Sequence, residues 1–225
     1  MKQGQDADRA VQVELISEAA LREVARKYGT GIGDGETPLA YHHLGHTLDV
    51  GHMFLALAAR SLQNRKIEVK DIDLGRMAAS SHDMEQGLGR GDSEEFCAAW
   101  VKQAMYEAEC FTPQEIDITG QMVQATKVWF DPGYVIQRPG KLNLCKLLAD
   151  ADLSSLGRDH VTYWYWAMAL LKEIKKTEEP TRQDLLEFLF SQRLLLTNHK
   201  FHTEEAWQLF PYQHRNLQFV NEKIK

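Results

Sequence analysis

Residues 93–108 read Ser93-Glu94-Glu95-Phe96-Cys97-Ala98-Ala99-Trp100-Val101-Lys102-Gln103-Ala104-Met105-Tyr106-Glu107-Ala108. Phe96, Cys97, Trp100, Val101, Ala104, Met105 and Ala108 recur at helical intervals and share one wide face. Strict apolar/polar alternation, the mark of a half-buried strand, is hard to find in the chain. Toward the C-terminus, Thr112-Pro113-Gln114-Glu115 has cap, proline and acid in the order that opens a helix. That helix is expected to end near Phe130, before Asp131-Pro132-Gly133, with a loop to Gly140. A helix over about 141–155, ended by Gly157, should follow. Aromatic-rich 158–175, then 180–197 and 203–223, supply the last helices. Toward the N-terminus, 71–82 reads as a helix capped by Asp71 or Asp73, and Met84 to Ser93, with three glycines, reads as a loop. Thr37 and Pro38 suit the first turn of a helix running to about Asn64. Val11, Leu15, Ala19 and Val24 mark a helix over 8–28, ended by Gly29. Gly29 to Gly35 is a glycine-rich loop that lacks the Gly-Lys-Ser/Thr of a phosphate-binding P-loop. The expectation is one all-α domain over residues 1–225, with 158–225 as a C-terminal helical extension.

Composition excludes several classes. The 225 residues are 44% hydrophobic and 26% charged, enough apolar content to bury a core. Fifteen glycines and six prolines exclude a collagen-like or low-complexity chain. No apolar run approaches the ~20 residues of a membrane span, and the polar start lacks a signal peptide's apolar stretch. Three cysteines make no disulfide framework, so a reducing, cytoplasmic setting is expected. Cys97 and Cys110, placed on one helix, and Cys145 read as small buried hydrophobes. A net charge of −6 argues against a nucleic acid polymer as partner. Nine histidines are a mild excess, three of them within 42–46.

Three short stretches could carry chemistry. In Tyr41-His42-His43-Leu44-Gly45-His46, His42 and His46 stand four apart and would share a helix face. His82-Asp83 closes the helix ending Met77-Ala78-Ala79-Ser80-Ser81, whose small side chains permit close packing. In Leu147-Leu148-Ala149-Asp150-Ala151-Asp152-Leu153, two carboxylates sit within an apolar helical segment. Burying either unpaired would cost on the order of several kcal/mol unless a cation stood nearby. The plainer alternative has one Asp in solvent and the other capping or paired.

In order, these elements resemble the HD superfamily of metal-dependent phosphohydrolases, an all-α family whose signature is His, then His-Asp, then Asp. The chain is most similar to its small stand-alone bacterial members, which carry Tyr-His-Asn-x-x-His and Asp-Ala-Asp-Leu. Ala125-Thr126 is a looser match, and Gln213-His214-Arg215-Asn216-Leu217 resembles the family's terminal Arg-x-Asn-Leu helix, though here Asn216 directly follows Arg215. The resemblance spans roughly residues 10–220. It implies an HD-like helical bundle with a metal-site core over about 37–157. It also implies His46, His82, Asp83 and Asp152 as metal ligands, His42 as general acid and Asp83 as a catalytic group. Asp150 then either hydrogen-bonds a metal ligand from behind or caps a neighbouring helix. His43, where the family has Asn, is a hydrogen-bonding neighbour or a spare ligand.

The implied donor set of two imidazoles and two carboxylates suits one divalent ion, Mn, Fe, Mg, Co, Ni or Zn. No His occurs from 84 to 159, so the six-ligand dinuclear set of some relatives cannot be assembled in the usual way. Met84-Glu85-Gln86-Gly87 replaces the family's Ile-Gly-Lys, leaving Lys127, Arg90 and Arg138 as candidate phosphate contacts. His52, His160, His199, His202 and His214 lack ligand-spaced partners and read as structural or surface residues. The expected function is hydrolysis of a small phosphate ester, with nucleotides a superfamily-level expectation. The alternatives are a non-catalytic metal- or nucleotide-binding regulatory module and a metal-free scaffold. Tyr163-Trp164-Tyr165-Trp166 is core or a homodimer face, the core being preferred.

Overall fold

The helical periodicity at 93–108 emerges in the computed structural model as a helix over Asp92–Glu107. Backbone is described for residues 2–88, 92–131 and 134–225, and side chains for 8–88, 92–129 and 136–225. In chain order the elements are α1 (Lys2–Tyr28), α2 (Leu44–Gln63), α3 (Val69–Ser81), α4 (Asp92–Glu107) and α5 (Pro113–Gln124). They continue as β1 (Val128–Asp131), β2 (Tyr134–Gln137), α6 (Asn143–Asp152), a 3-10 turn (Ser154–Gly157) and α7 (His160–Lys175). The last are α8 (Arg182–Asn198), α9 (Glu204–Leu209) and α10 (Gln213–Ile224). The fold is all-α. Among the described residues no helix is long and apolar enough to cross a membrane.

Several boundaries differ from expectation, each for a local reason. Residues 37–43 are irregular, and α2 opens six residues after Pro38, at Leu44. Backbone N–H groups of Thr37 and Leu39 donate to the Lys27 and Tyr28 carbonyls, and Leu44 N–H donates to Gly29. Those bonds lash the segment to the end of α1 and leave its N–H groups unavailable for a helix. The glycine loop between them is tightly bonded, with Asp34 accepting the Thr30 N–H at 2.7 Å. Gly31 has φ +103° and packs so closely on His43 that a Cβ would lie 2.7 Å from the ring.

The expected Asp71 cap acts one turn differently. Glu68 is the N-cap of α3, and Asp71 reaches back to its N–H at 2.9 Å. The Thr112–Glu115 capping box of α5 forms as expected. That helix stops at Gln124 rather than near Phe130, because Val128–Asp131 pairs antiparallel with Tyr134–Gln137, Val128 opposite Gln137. The hairpin's aromatic and β-branched residues favour strand, but four-residue strands are too short to announce themselves. Helix α6 ends at Asp152 and the 3-10 turn carries the chain to Gly157. The single helix expected over 203–223 is two, split at Pro211, which has no N–H to continue α9. Cys110 lies beyond α4 and is half-buried, whereas Cys97 and Cys145 are buried. Phe96 sits at the rim of the α4 face, 43% exposed, while Cys97, Ala98, Val101 and Met105 form its centre.

Two apolar clusters result. The larger gathers α1 to α6 around Val24, Phe54, Leu57, Leu74, Met77, Val101, Met122 and Leu147, with Phe201, Ala206 and Phe210 from the C-terminal part. The smaller joins α7, α8 and α10 through Tyr163, Leu171, Leu189, Leu196 and Val220. Buried polar contacts tie them together. Asp150 accepts N–H bonds from His202 (2.7 Å) and Thr203 (2.9 Å) and the Thr203 hydroxyl (2.6 Å). Asn216, fully buried, donates to the carbonyls of Leu156 and Arg158. Arg158 forks onto Asp49 of α2 at 2.8 and 2.6 Å. Of the aromatic run, Tyr163 and Trp166 are buried and Tyr165 is exposed.

Candidate metal centre

Helix α3 is built to let α2 come close. A Cβ on Gly75 would lie 1.8 Å from Cζ of Phe54, so only glycine admits that ring. Met77, Ala78 and Ala79 are buried beside it. This contact brings the first turn of α2, carrying His46, against the C-terminal end of α3, carrying His82 and Asp83. The His46 and His82 ring centroids are 5.8 Å apart. Asp152, the last residue of α6, completes the ring of side chains.

The atoms converge closely. His46 Nε2 lies 3.5 Å from Asp83 Oδ2 and 3.4 Å from Asp152 Oδ1. His82 Nε2 lies 3.0 Å from Asp83 Oδ2 and 3.7 Å from Asp152 Oδ1. His82 Nδ1 is 2.8 Å from the Ala79 carbonyl. Donating its N–H there fixes the ring and turns Nε2 toward Asp83 and the centre of the cluster. His46 Nε2, His82 Nε2 and Asp83 Oδ2 are all buried and hydrogen-bonded to nothing. Each such orphan costs about 1–3 kcal/mol, a cost that a cation shared by the three would remove. His46, His82 and Asp83 could hold a metal ion.

Charge within the cluster is strongly coupled. Burial works against protonating His82, but Asp83 outweighs it and lifts the ring to about 9. Burial also works against ionising Asp83, but His82 and His42 hold its carboxyl well below the usual range.

His42 is not on a helix with His46 as the spacing suggested. It lies just before the N-cap of α2, and its ring still comes within 5.7 Å of His46. His42 is 25% exposed where His46 is 4%, so it stands at the mouth of the cluster. Its Nδ1 lies 2.5 Å from Glu173 Oε1 of α7, whose other oxygen accepts the Tyr41 and His42 N–H groups at 2.8 and 3.0 Å. Burial works against charge on His42, but Asp83 and Glu173 prevail and raise it to about 8. Trp166, also from α7, packs edge-on against His46 and Tyr41.

The other expected residues divide. His43 is the hydrogen-bonding neighbour: it caps α2, its Nδ1 accepting the Gly45 N–H at 2.9 Å. Asp150 takes the capping alternative, holding the start of α9 rather than touching the cluster. Lys127 and Arg138 flank the hairpin, with Lys127 Nζ 4.3 Å and the Arg138 guanidinium 5.9 Å from the Trp129 ring centroid. Arg90 lies outside the described residues.

Three side chains at the cluster escaped sequence reasoning. Glu173 sits among lysines in an ordinary amphipathic helix, with no local signal of its role. Gln86 donates to Asp83 Oδ1 at 2.8 Å, and was visible only as a departure from the family's basic residue. Gln137 Nε2 lies 3.4 Å from Asp152 Oδ2 and sits on the unforeseen β2. No protein-family model matches the chain, and no curated protein matches it at a significant level.

Proposed function

We propose that this protein is a metal-dependent phosphohydrolase of HD type acting on a small phosphate ester, with nucleotides a candidate only by analogy with the superfamily. One observation carries the reading. Donor atoms of His46, His82 and Asp83 converge, with Asp83 Oδ2 3.5 and 3.0 Å from the two imidazole nitrogens, and Asp152 Oδ1 stands beside that trio, 3.4 and 3.7 Å from the same nitrogens. Donors about 2.1 Å from one ion stand about 3.0 Å apart at right angles and about 3.4 Å at tetrahedral angles. The trio therefore suits a single divalent cation, from among Mn, Fe, Mg, Co, Ni and Zn, with Asp152 the fourth ligand that the resemblance implies. Such an ion, when bound, polarises a phosphoryl oxygen and acidifies a water.

The chain's own residues do the rest. Glu173 takes the Nδ1 proton of His42 in a hydrogen bond and fixes the ring, so Nε2 carries the transferable proton. As a water oxygen bonds to phosphorus and gives up a proton to solvent, the ester P–O bond breaks and His42 gives its proton to the leaving oxygen. Trp166 and Tyr41 wall the inner side and keep His46 out of water. Lys127 and Arg138 are candidate phosphate contacts from the hairpin.

The test is metal analysis after loading with Mn, Co, Ni or Mg, followed by assay on aryl phosphates and a nucleotide panel. Wild type should retain metal and hydrolyse members of the panel. His82→Ala and Asp83→Ala should lose both while staying helical by circular dichroism. Stoichiometric metal in both variants overturns the ligand assignment. Metal retention without hydrolysis under any loading identifies a binding or regulatory module instead.

A further inference from the structure

Each carboxylate in the cluster has one oxygen turned inward and one turned away. Asp83 Oδ2 and Asp152 Oδ1 face the two imidazoles. The outer oxygens, Asp83 Oδ1 and Asp152 Oδ2, each meet the amide Nε2 of a glutamine, Gln86 at 2.8 Å and Gln137 at 3.4 Å. The two glutamines come from unrelated places, one from the loop after α3 and the other from β2. Both are held in place by further bonds. The Gln86 N–H donates to the Tyr28 hydroxyl at 2.8 Å, and the Gln137 amide also donates to the Thr126 carbonyl at 3.2 Å. Gln137 is buried and Gln86 half-buried.

We infer that Gln86 and Gln137 are positioning residues that hold both carboxylates to one donor oxygen each, making this a one-ion site. The inference rests on the metal reading above and adds to it. A carboxylate free at both oxygens can bind an ion through two atoms or bridge two ions. Here a second cation at Asp83 Oδ1 would meet the partial positive charge of the Gln86 amide hydrogens. Neutral donors also leave the carboxylates' charge intact, where a lysine or arginine would cancel part of it.

Mn²⁺ binding to the full chain by equilibrium dialysis, and the visible spectrum of the Co²⁺-loaded protein, test this. Wild type should bind one equivalent. Gln86→Leu and Gln137→Leu should bind 10- to 100-fold more weakly, the range seen when outer partners of metal ligands are removed. Their Co²⁺ spectra should differ from wild type, because the carboxylate released by the glutamine would be free to reorient. Thermal melts of the metal-free variants confirm folding, and half-buried Gln86 provides the tolerant position if Gln137→Leu fails to fold. Wild-type affinity and spectrum in the folded variants overturn the clamp, as do two equivalents at this site in wild type. Failure of wild type to bind any of the ions overturns the metal reading itself, and the clamp with it.

Discussion

A carboxylate behind a histidine changes both where its ring points and how firmly it holds a proton. Glu173 does both for His42, and its second oxygen pins the backbone of residues 41 and 42. Glu173→Gln keeps the shape and removes the charge. With a hydrolysable substrate in hand, kcat should fall about 10- to 100-fold, below the full worth of a general acid. KM and metal content should stay near wild type. The alkaline limb of the pH–rate profile should move to lower pH, because the carboxylate raises the His42 pKa and its loss lowers it. An unmoved limb with reduced kcat would mean that Glu173 only braces the fold. At this scale the sequence was legible for residues with distinctive chemistry. His46, His82, Asp83 and Asp152 could be picked out by order, whereas Glu173, Gln86 and Gln137 are common residues whose roles depend on what lies opposite.

Helices α2 and α3 carry the inner half of the cluster, and their approach hinges on Gly75 beneath Phe54. Gly75→Ala should improve local helix propensity yet destabilise the protein, because the added methyl collides with a buried ring. A loss of about 1–3 kcal/mol is expected, or a melting temperature lowered by several degrees. Metal affinity should fall with it, since His46 and His82 would be pushed apart. A variant as stable as wild type would show that the two helices can part without cost. Helix existence was readable throughout from apolar spacing, and the caps at Thr112 and Thr181 agree with their local sequences. The start of α2 was misread because Thr37-Pro38 is a sound local opening signal that long-range bonds to α1 override. The hairpin was missed because it is held by pairing and by packing against α8, neither of which leaves a periodic trace in four residues.

Across the whole molecule, pH should act through the buried histidine at the junction of the clusters. Burial, aided by His202, pushes His199 down to about 3, from an unfolded value near 6.5. The unfolded chain therefore binds more protons between those values. The contribution of neutral His199 is fully present above about pH 6.5 and is lost as pH falls toward about 3. Asp150, pushed up to about 6 by burial, works in the opposite sense within part of that range, so wild type alone does not isolate the effect. The difference in unfolding free energy between wild type and His199→Leu does. It should move against wild type on acidification, approaching about 1.4 kcal/mol per pH unit mid-window. A pH-independent difference would mean that His199 reaches solvent or a partner when protonated.

The sequence by itself determined the helical class, most helix centres and the identity of the cluster's four inner side chains. It could do so because helical periodicity is written in residues three and four apart, and because the order His, His-Asp, Asp resembles a known family's signature. Only the tertiary structure decided where α2 begins, that a hairpin stands beside Asp152, that His42 is backed by a glutamate from α7, and that two glutamines hold the outer oxygens. Those features depend on contacts between segments far apart in the chain. Their energies come from packing and buried hydrogen bonds, which local pattern does not record.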